Sequence, residues 1–178
     1  DEHDALLQLV KGKTTTMPEA HSGEGIFFSS KAAATLVLRS HRIQVEWSKR
    51  LRDVFVSNRR YVKGTHVEIV VRRDSRTKLE DIFNEYAPRE FDYRFSKSRV
   101  HVKLLGNQYI SRSEARRLLV NLEKFKLVEL DFKNVESVGQ GFADEVFRVF
   151  TDRHPGVVIR WVNASRAVEA MIRHTGSQ

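Results

Sequence analysis

The strongest constraint on the fold of this chain is the regular alternation of short apolar runs and amphipathic stretches after residue 90. Phe91 to Phe95 and Arg99 to Leu105 read as paired strands. Ser111-Arg112-Ser113-Glu114 is a capping box, with Ser111 as N-cap and Glu114 reaching back from the third helical position. The helix it opens aligns Ala115, Leu118, Leu119, Leu122 and Phe125 on one face. Lys126 to Phe132 has the apolar density of a buried strand. Gly139-Gln140-Gly141 then starts a helix carrying Phe142, Val146, Phe147 and Phe150, which His154-Pro155-Gly156 stops. Val157 to Val162 predicts a further strand. Asn163 is the expected cap of a last helix, with Val168, Met171 and Ile172 inward and Gly176 beyond its end. Strand and helix in turn at this spacing predict an α/β layer.

The first half is less regular. Asp4 to Lys11 sets Leu6, Leu7 and Val10 on one helical face and ends at Gly12. Residues 12–22 are polar and loop-like. A helix is expected over Glu24 to Ala34, with Ile26, Phe27 and the alanines inward, then a strand over Thr35 to Arg39. Residues 43–62 suit a hairpin or an inserted turn, and Thr65 to Val71 alternates as a strand. Lys78 to Tyr86 predicts a short helix. Ala87-Pro88-Arg89 is the expected linker, dividing the chain into residues 1–88 and 89–178.

Composition narrows the chemistry. The 178 residues include no cysteine, which excludes disulfide scaffolds and thiolate metal sites and fits a reducing, cytoplasmic setting. Seven histidines are scattered without the i, i+4 pair of a helical zinc site, so no metal ligands are expected. No apolar run reaches the ~20 residues that span a bilayer, so no membrane partner is expected. The net charge of +8 divides evenly, with 16 Lys/Arg against 12 Asp/Glu in residues 1–89. The densest basic stretch, Lys49 to Lys63, includes Arg50, Arg52, Arg59 and Arg60 beside Trp47 and Tyr61. It reads as a solvated hairpin, or as a surface holding nucleic-acid phosphates. The chain opens at Asp1 inside a helical pattern, which predicts a fragment.

Two motifs suggest ligand chemistry. Gly12-Lys13-Thr14 does not complete a P-loop, because Leu7 stands where that motif needs glycine. In His21-Ser22-Gly23-Glu24-Gly25-Ile26-Phe27-Phe28, a Gly-x-Gly step runs into a helix start. There the backbone approaches a ligand closely and unpaired N–H groups face an anion.

That segment, the polar Lys13-Thr14-Thr15-Thr16 before it and Lys63-Gly64-Thr65 after it resemble the later half of the GHKL ATPase domain, the family of histidine kinases and anti-sigma-factor kinases. The resemblance covers roughly residues 5–88. It implies that Ser22, Gly23, Gly25 and Ile26 face the nucleotide's phosphates and that Gly64 and Thr65 lie by the adenine. Lys13, Thr14, Thr15, Thr16 and His21 would form a lid, with ATP and Mg2+ as the cofactor of a full-length parent. The family's asparagine-bearing helix and Asp-x-Gly-x-Gly turn are not among the residues before the lid, so this chain alone is expected to be inactive; whether the parent is an ATPase or a kinase stays open.

Residues 91–175 resemble a STAS-like domain, the fold of anti-sigma-factor antagonists, and more closely the STAS-like domain of unknown function found after GHKL-type modules. Ile110 to Leu119, Leu130-Asp131-Phe132 and Val138 to Phe150 carry the likeness. The resemblance puts Gly141 at the phosphoacceptor position of the antagonists, and Ser137 falls two to four positions early, so a phospho-switch of that kind is not expected. Gly139, Gln140, Gly141 and Asp144 are either a partner-recognition surface or a tight strand-to-helix turn, with Asp144 and Glu145 complementing the helix dipole. Asn163-Ala164-Ser165 is read as a cap rather than a glycosylation site.

The expected architecture is thus α/β: a partial GHKL-type sandwich followed by a STAS-like sheet with packed helices. The expected function is regulatory, with a nucleotide module coupled to a protein-interaction module. The alternatives are a non-enzymatic interaction scaffold and a nucleic-acid-associated transcriptional regulator.

Overall fold

A computed structural model describes residues 2–15, 17, 23–92, 94–105 and 109–175, with 2 and 3 described through their backbone alone. The expected roles of Thr16, His21, Ser22 and Gly176 lie outside the described residues.

Helix α1 (Glu2–Lys11) buries Leu6, Leu7 and Val10, as their spacing predicts. Helix α2 (Gly25–Ala32) is shorter than expected and buries Phe27 but leaves Ile26 exposed. Neighbouring helical residues point about 100° apart, so both cannot face the core. Phe27 takes that place, within 4.5 Å of the Phe95 ring and 5.0 Å of Tyr86, centroid to centroid.

Strands β1 (Thr35–Ser48) and β2 (Asp53–Val70) form one long antiparallel hairpin turning at residues 49–52. Fourteen strand residues would reach about 46 Å if straight. Yet the Lys49 N–H donates to the carbonyl of Ala34, just before β1 begins, at 3.0 Å. The ribbon therefore doubles back on itself. Its corner is the pair of register shifts around His41, where His41 (φ 51°) and Gly64 (φ 86°) take left-handed backbone. Leu36, Val45, Trp47 and Val54 are buried, and α1 lies against both arms through Leu6 and Leu9. Beyond the corner, β2 is exposed on both faces from Lys63 to Val70, so the alternation of Thr65 to Val71 does not record a buried side.

Helix α3 (Leu79–Tyr86) follows, buried through Ile82 and Tyr86. The expected strand over Phe91 to Phe95 is absent. A 3-10 turn, Arg89–Phe91, ends at Asp92 in left-handed backbone (φ 55°), and Phe95 enters the aromatic cluster of Phe27, Phe28 and Phe125. Strand β3 (Lys97–His101) pairs instead with β4 (Leu127–Asp131), and β4 with β5 (Val158–Val162), all parallel in the order β3-β4-β5. One 3-10 turn (Val102–Leu105) replaces the end of the expected second strand.

Between the strands stand α4 (Arg112–Leu119) and a continuous helical run made of α5 (Gln140–Asp144), a π-helical stretch (Glu145–Val149) and α6 (Phe150–Arg153); α7 (Arg166–His174) closes the order. Both arms of the Ser111 capping box form. Ala115, Leu118, Leu119, Leu122, Phe125, Phe142, Val146, Phe147, Phe150, Val168 and Ile172 are all buried as patterned. The cap of α7 is Ser165, whose Oγ accepts from the Val168 N–H, and not Asn163. Asn163 sits in left-handed backbone and donates to Asp131 Oδ1 at 2.8 Å, tying β5's exit to the end of β4. One hydrophobic core runs without interruption from α1 to α7 across Pro88, and Ala87 is itself buried.

Candidate functional site

The period of two along β3 and β4 puts Ser98, Val100, Val128 and Leu130 on one face of the parallel sheet and Arg99, His101, Glu129 and Asp131 on the other. The apolar face receives α1. Ser98 Oγ donates to the Lys11 carbonyl at 2.8 Å, and the ammonium of Lys11, fully buried, donates to the Val120 carbonyl at 2.9 Å and the Arg117 carbonyl at 3.4 Å. These are orphan carbonyls at the C-terminal end of α4, where the helix dipole also favours a cation. Asp4 accepts from Arg117 (2.7 Å) and Gln8 from Asn121 (2.9 Å), so α1 is tied to α4 along its length.

The polar face is covered by the turn end of the hairpin. Asp53, 7% exposed, pairs with Lys103 and with Lys133 at 3.3 Å. His101 stands between Asp131 (3.5 Å) and Asp53 (4.0 Å), with its Nδ1 hydrogen-bonded to neither. Burial pushes this imidazole down to about 4, against the pull of Asp131 and Asp53. Burial works to raise the Asp53 carboxyl, but hydrogen bonds from Lys103, the Val54 N–H and Lys133 outweigh it and hold the group below its ordinary value. No signal short of the tertiary contact marks this cluster in the sequence, since Asp53 and His101 lie on different sheets.

The cluster gives a pH dependence with a definite sign. Between about pH 6.5 and 4 the unfolded chain protonates His101 and the folded chain does not. The unfolded state then binds more protons, so stability falls as pH drops through that window, and the low Asp53 pKa adds a loss below it. Urea midpoints measured from pH 7 to 4 should fall less steeply for His101→Gln than for the parent chain. Equal slopes would show that His101 titrates normally.

Gly139, Gln140, Gly141 and Asp144 lie together at the start of α5, after β4. They adjoin α4: the Gly139 N–H donates to the Tyr109 carbonyl at 2.7 Å, and Asp144 accepts from Arg112 (2.7 Å) and Arg148 (2.9 Å). The Arg148 hydrogen bond is the main reason the Asp144 carboxyl lies below its ordinary pKa. Glu145, buried, pairs with Arg116 at 2.9 Å. Asp144 and Glu145 therefore join α5 to α4 as well as lying near the helix start. Arg112, Gln140, Gly141, Asp144 and Arg148 line an open depression of about 410 Å³.

The described residues expected at a nucleotide lie in three places: the segment around Lys13, the start of α2 and the hairpin corner. Gly25 begins α2, and a Cβ built there meets nothing within 4 Å. Gly23 has φ 72°, and a Cβ there would lie 2.5 Å from the Thr14 carbonyl oxygen, so a close passage of the chain already demands that glycine. Lys13 is not a free lid cation: its ammonium donates to the Lys124 carbonyl (3.1 Å) and lies over the Phe95 and Phe125 rings. Thr15 Oγ1 accepts from the Met17 N–H. Gly64 and Thr65 lie at the hairpin corner and are bonded to Ser40 across the ladder. Among the described residues no group of three or more His, Asp or Glu could hold a metal, and no helix is long and apolar enough to cross a membrane.

Residues 114–169 match the model of a family described as the STAS-like domain of unknown function (DUF4325). Residues 114–169, which begin within α4, end within α7 and include β4 and β5, are thus a STAS-like domain. No curated protein and no solved structure matches the chain.

Proposed function

We propose that this chain is a cytoplasmic regulatory protein in which a GHKL-type nucleotide-binding module sets the state of a protein-binding face on the STAS-like domain. The face is the depression formed by Arg112 on α4 and by Gln140, Gly141, Asp144 and Arg148 on the α5 run. The observation that carries the reading is the tie between α1 and α4. Lys11, Asp4 and Gln8 fix the first module to the same helix whose opposite end, at Arg112, builds the face. A rigid helix held at both ends transmits a displacement at one to the other. On the nucleotide side, support comes from Gly25, where an added Cβ meets nothing within 4 Å among the described residues, and from the exposed Ile26 at the start of α2. Magnesium would arrive with the ATP of the full-length parent.

The two halves of the reading are tested separately. Calorimetry of the full-length parent with ATP and Mg2+ should show binding that Gly25→Val abolishes without lowering the unfolding midpoint. A parent with no nucleotide affinity ends the nucleotide half. Gln140→Ala with Asp144→Ala should weaken partner binding by about tenfold or more, the loss of two hydrogen-bonding groups, one of them charged. Undiminished capture of the partner would move the binding surface elsewhere.

A second reading, nucleic-acid binding, is favoured by where the charge lies. Residues 39–76 hold eleven Lys/Arg against four Asp/Glu, which is seven of the net eight positive charges of the chain. Arg59, Arg60, Tyr61 and Lys63 are exposed on the β2 side of the corner, and His41 stacks on Tyr61 at 5.6 Å. A two-stranded ribbon of this kind fits a DNA major groove. Affinity for a DNA duplex should drop steeply between about 50 and 200 mM salt, and Arg59→Ala with Arg60→Ala should flatten that slope by about two units. Binding that ignores salt removes this reading.

A further inference from the structure

We propose that the cavity between the hairpin turn, α2, α3 and β3 is a binding site for a small organic anion, a carboxylate or phosphate monoester carried on a flat apolar body. The cavity measures about 280 Å³, room for about nine waters or one small molecule. It lies apart from the depression at Gln140 and shares no residue with it.

Its charge is unbalanced toward cations. Lys31, Lys49, Arg52 and Arg99 line it, against the carboxylates of Asp53 and Glu85. Asp53 is already paired with Lys103 and Lys133, neither of which lines the cavity. Arg99 pairs with Glu129 on the neighbouring strand. The Lys31 ammonium lies over the Phe27 ring (4.8 Å) and the Tyr86 ring (5.3 Å), and no carboxylate lies within ion-pair distance of it among the described residues. Burial pushes it down to about 8, helped by Arg99 and opposed by Glu85 and Glu129. Glu85 and Glu129 act on this ammonium from beyond contact, and with aromatic rings as its immediate neighbours it lacks the contacting anion that would restore its ordinary pKa. Arg52 at the cavity mouth is exposed.

The rest of the lining selects the body of the ligand. Trp47 and Tyr86, 6% and 7% exposed, present aromatic surface, and Ile82 and Val54 continue the apolar wall. Ser48, whose Oγ accepts from the Leu51 N–H and keeps its own proton to donate, adds a hydroxyl suited to the oxygens of a carboxylate or phosphate, whereas the Ser30 hydroxyl is committed to the Phe27 carbonyl. A ring lying against Trp47 or Tyr86 with its anion toward Lys31 uses both parts.

Trp47 supplies the readout. In a Trp161→Phe background the full chain has one tryptophan, and its emission is followed on titration with benzoate, phenyl phosphate, inorganic phosphate and benzyl alcohol. At least one ring-bearing anion should bind saturably, about tenfold or more tighter than benzyl alcohol and than inorganic phosphate, and the stronger of benzoate and phenyl phosphate identifies the anion. Lys31→Met should weaken that binding by about tenfold, and Lys31→Arg should retain it. Arg52→Ala, on the surface, provides a variant whose folding is not at risk and should weaken binding by about threefold. No saturable response to either ring-bearing anion up to about 10 mM overturns the proposal. So does equal binding by Lys31→Met, or a preference for benzyl alcohol. A loss of ATP or partner binding elsewhere leaves these outcomes unaltered, since they are read at Trp47.

Discussion

Lys11→Ala is expected to destabilise the chain by about 3 kcal/mol, read as a drop in the urea midpoint at constant slope. Lys11 is fully buried, and its ammonium satisfies carbonyls of Val120 and Arg117 at the C-terminal end of α4. Alanine removes the packed methylenes and leaves those acceptors without a donor. Lys11→Met keeps most of the stem and loses only the donor, so about 1–2 kcal/mol is expected. A pH series separates the two contributions. Burial pushes the ammonium down to about 8, so between pH 8 and its ordinary 10.5 the unfolded chain holds the proton and the folded chain has released it. The unfolded state binds more protons there, and this residue's contribution makes stability rise with pH through that window. Neither variant should show that rise. The functional consequence is also specific. If α1 controls the partner face through α4, Lys11→Met should change the dependence of partner binding on nucleotide while leaving nucleotide affinity in place. Unaltered coupling would mean that the α1–α4 tie is structural only.

Which parts of this architecture were legible follows from the range of the interactions that fix them. The α4 start was readable because Ser111 and Glu114 satisfy each other's backbone within one turn. The buried faces of α4, the α5 run and α7 were readable because helical period and core contact coincide there. The Asp92 break was not, since Phe95 just beyond it joins a ring cluster drawn from two other segments, α2 and the one carrying Phe125. Asn163 suited a cap by type, yet Asp131, a neighbour only through sheet pairing, takes its side chain. The hairpin escaped a full reading because much of β2 is exposed on both sides and carries no burial period. Of the candidate site, the Gly139 to Asp144 segment was found because it is contiguous. The Asp53–His101–Asp131 cluster and the cavity beside Lys31 were not, because each joins residues from separate elements. The charge divides evenly between the halves, yet within the first half it gathers in residues 39–76, the hairpin and the segment that follows it.

Gly139→Ala is expected to cost about 3 kcal/mol or more, whereas Gly141→Ala, two residues on, should be neutral or stabilising by up to about 1 kcal/mol. The sequence presents Gly139-Gln140-Gly141 as one glycine-rich unit, but the two glycines answer to different demands. At Gly139 the backbone is ordinary extended chain (φ −79°, ψ 157°), so conformational freedom is not the reason for glycine. Contact is: a Cβ would lie 2.5 Å from the Ile110 oxygen and 2.8 Å from its Cα, both backbone atoms of the segment that leads into the α4 cap. Neither can move without breaking the Gly139 N–H bond to Tyr109 or disturbing the capping box. At Gly141 the nearest atoms are Arg112 Cγ and the Ile110 carbonyl oxygen, both at an ordinary contact distance of 3.5 Å, and the residue is helical, so a methyl group fits and helix propensity favours it. Denaturation midpoints of the two variants decide this directly, and comparable losses at both positions would restore the unit reading. The difference also equips the functional test. Gly141→Ala adds a methyl group to the floor of the depression between Arg112 and Arg148 without unfolding the loop. If the partner seats there, that variant should bind it about tenfold more weakly at undiminished stability, because a close-packed interface does not accommodate an added methyl without displacing a contact. A stable Gly141→Ala chain that binds as before would place the partner away from the α5 start, on the outer surface of α4.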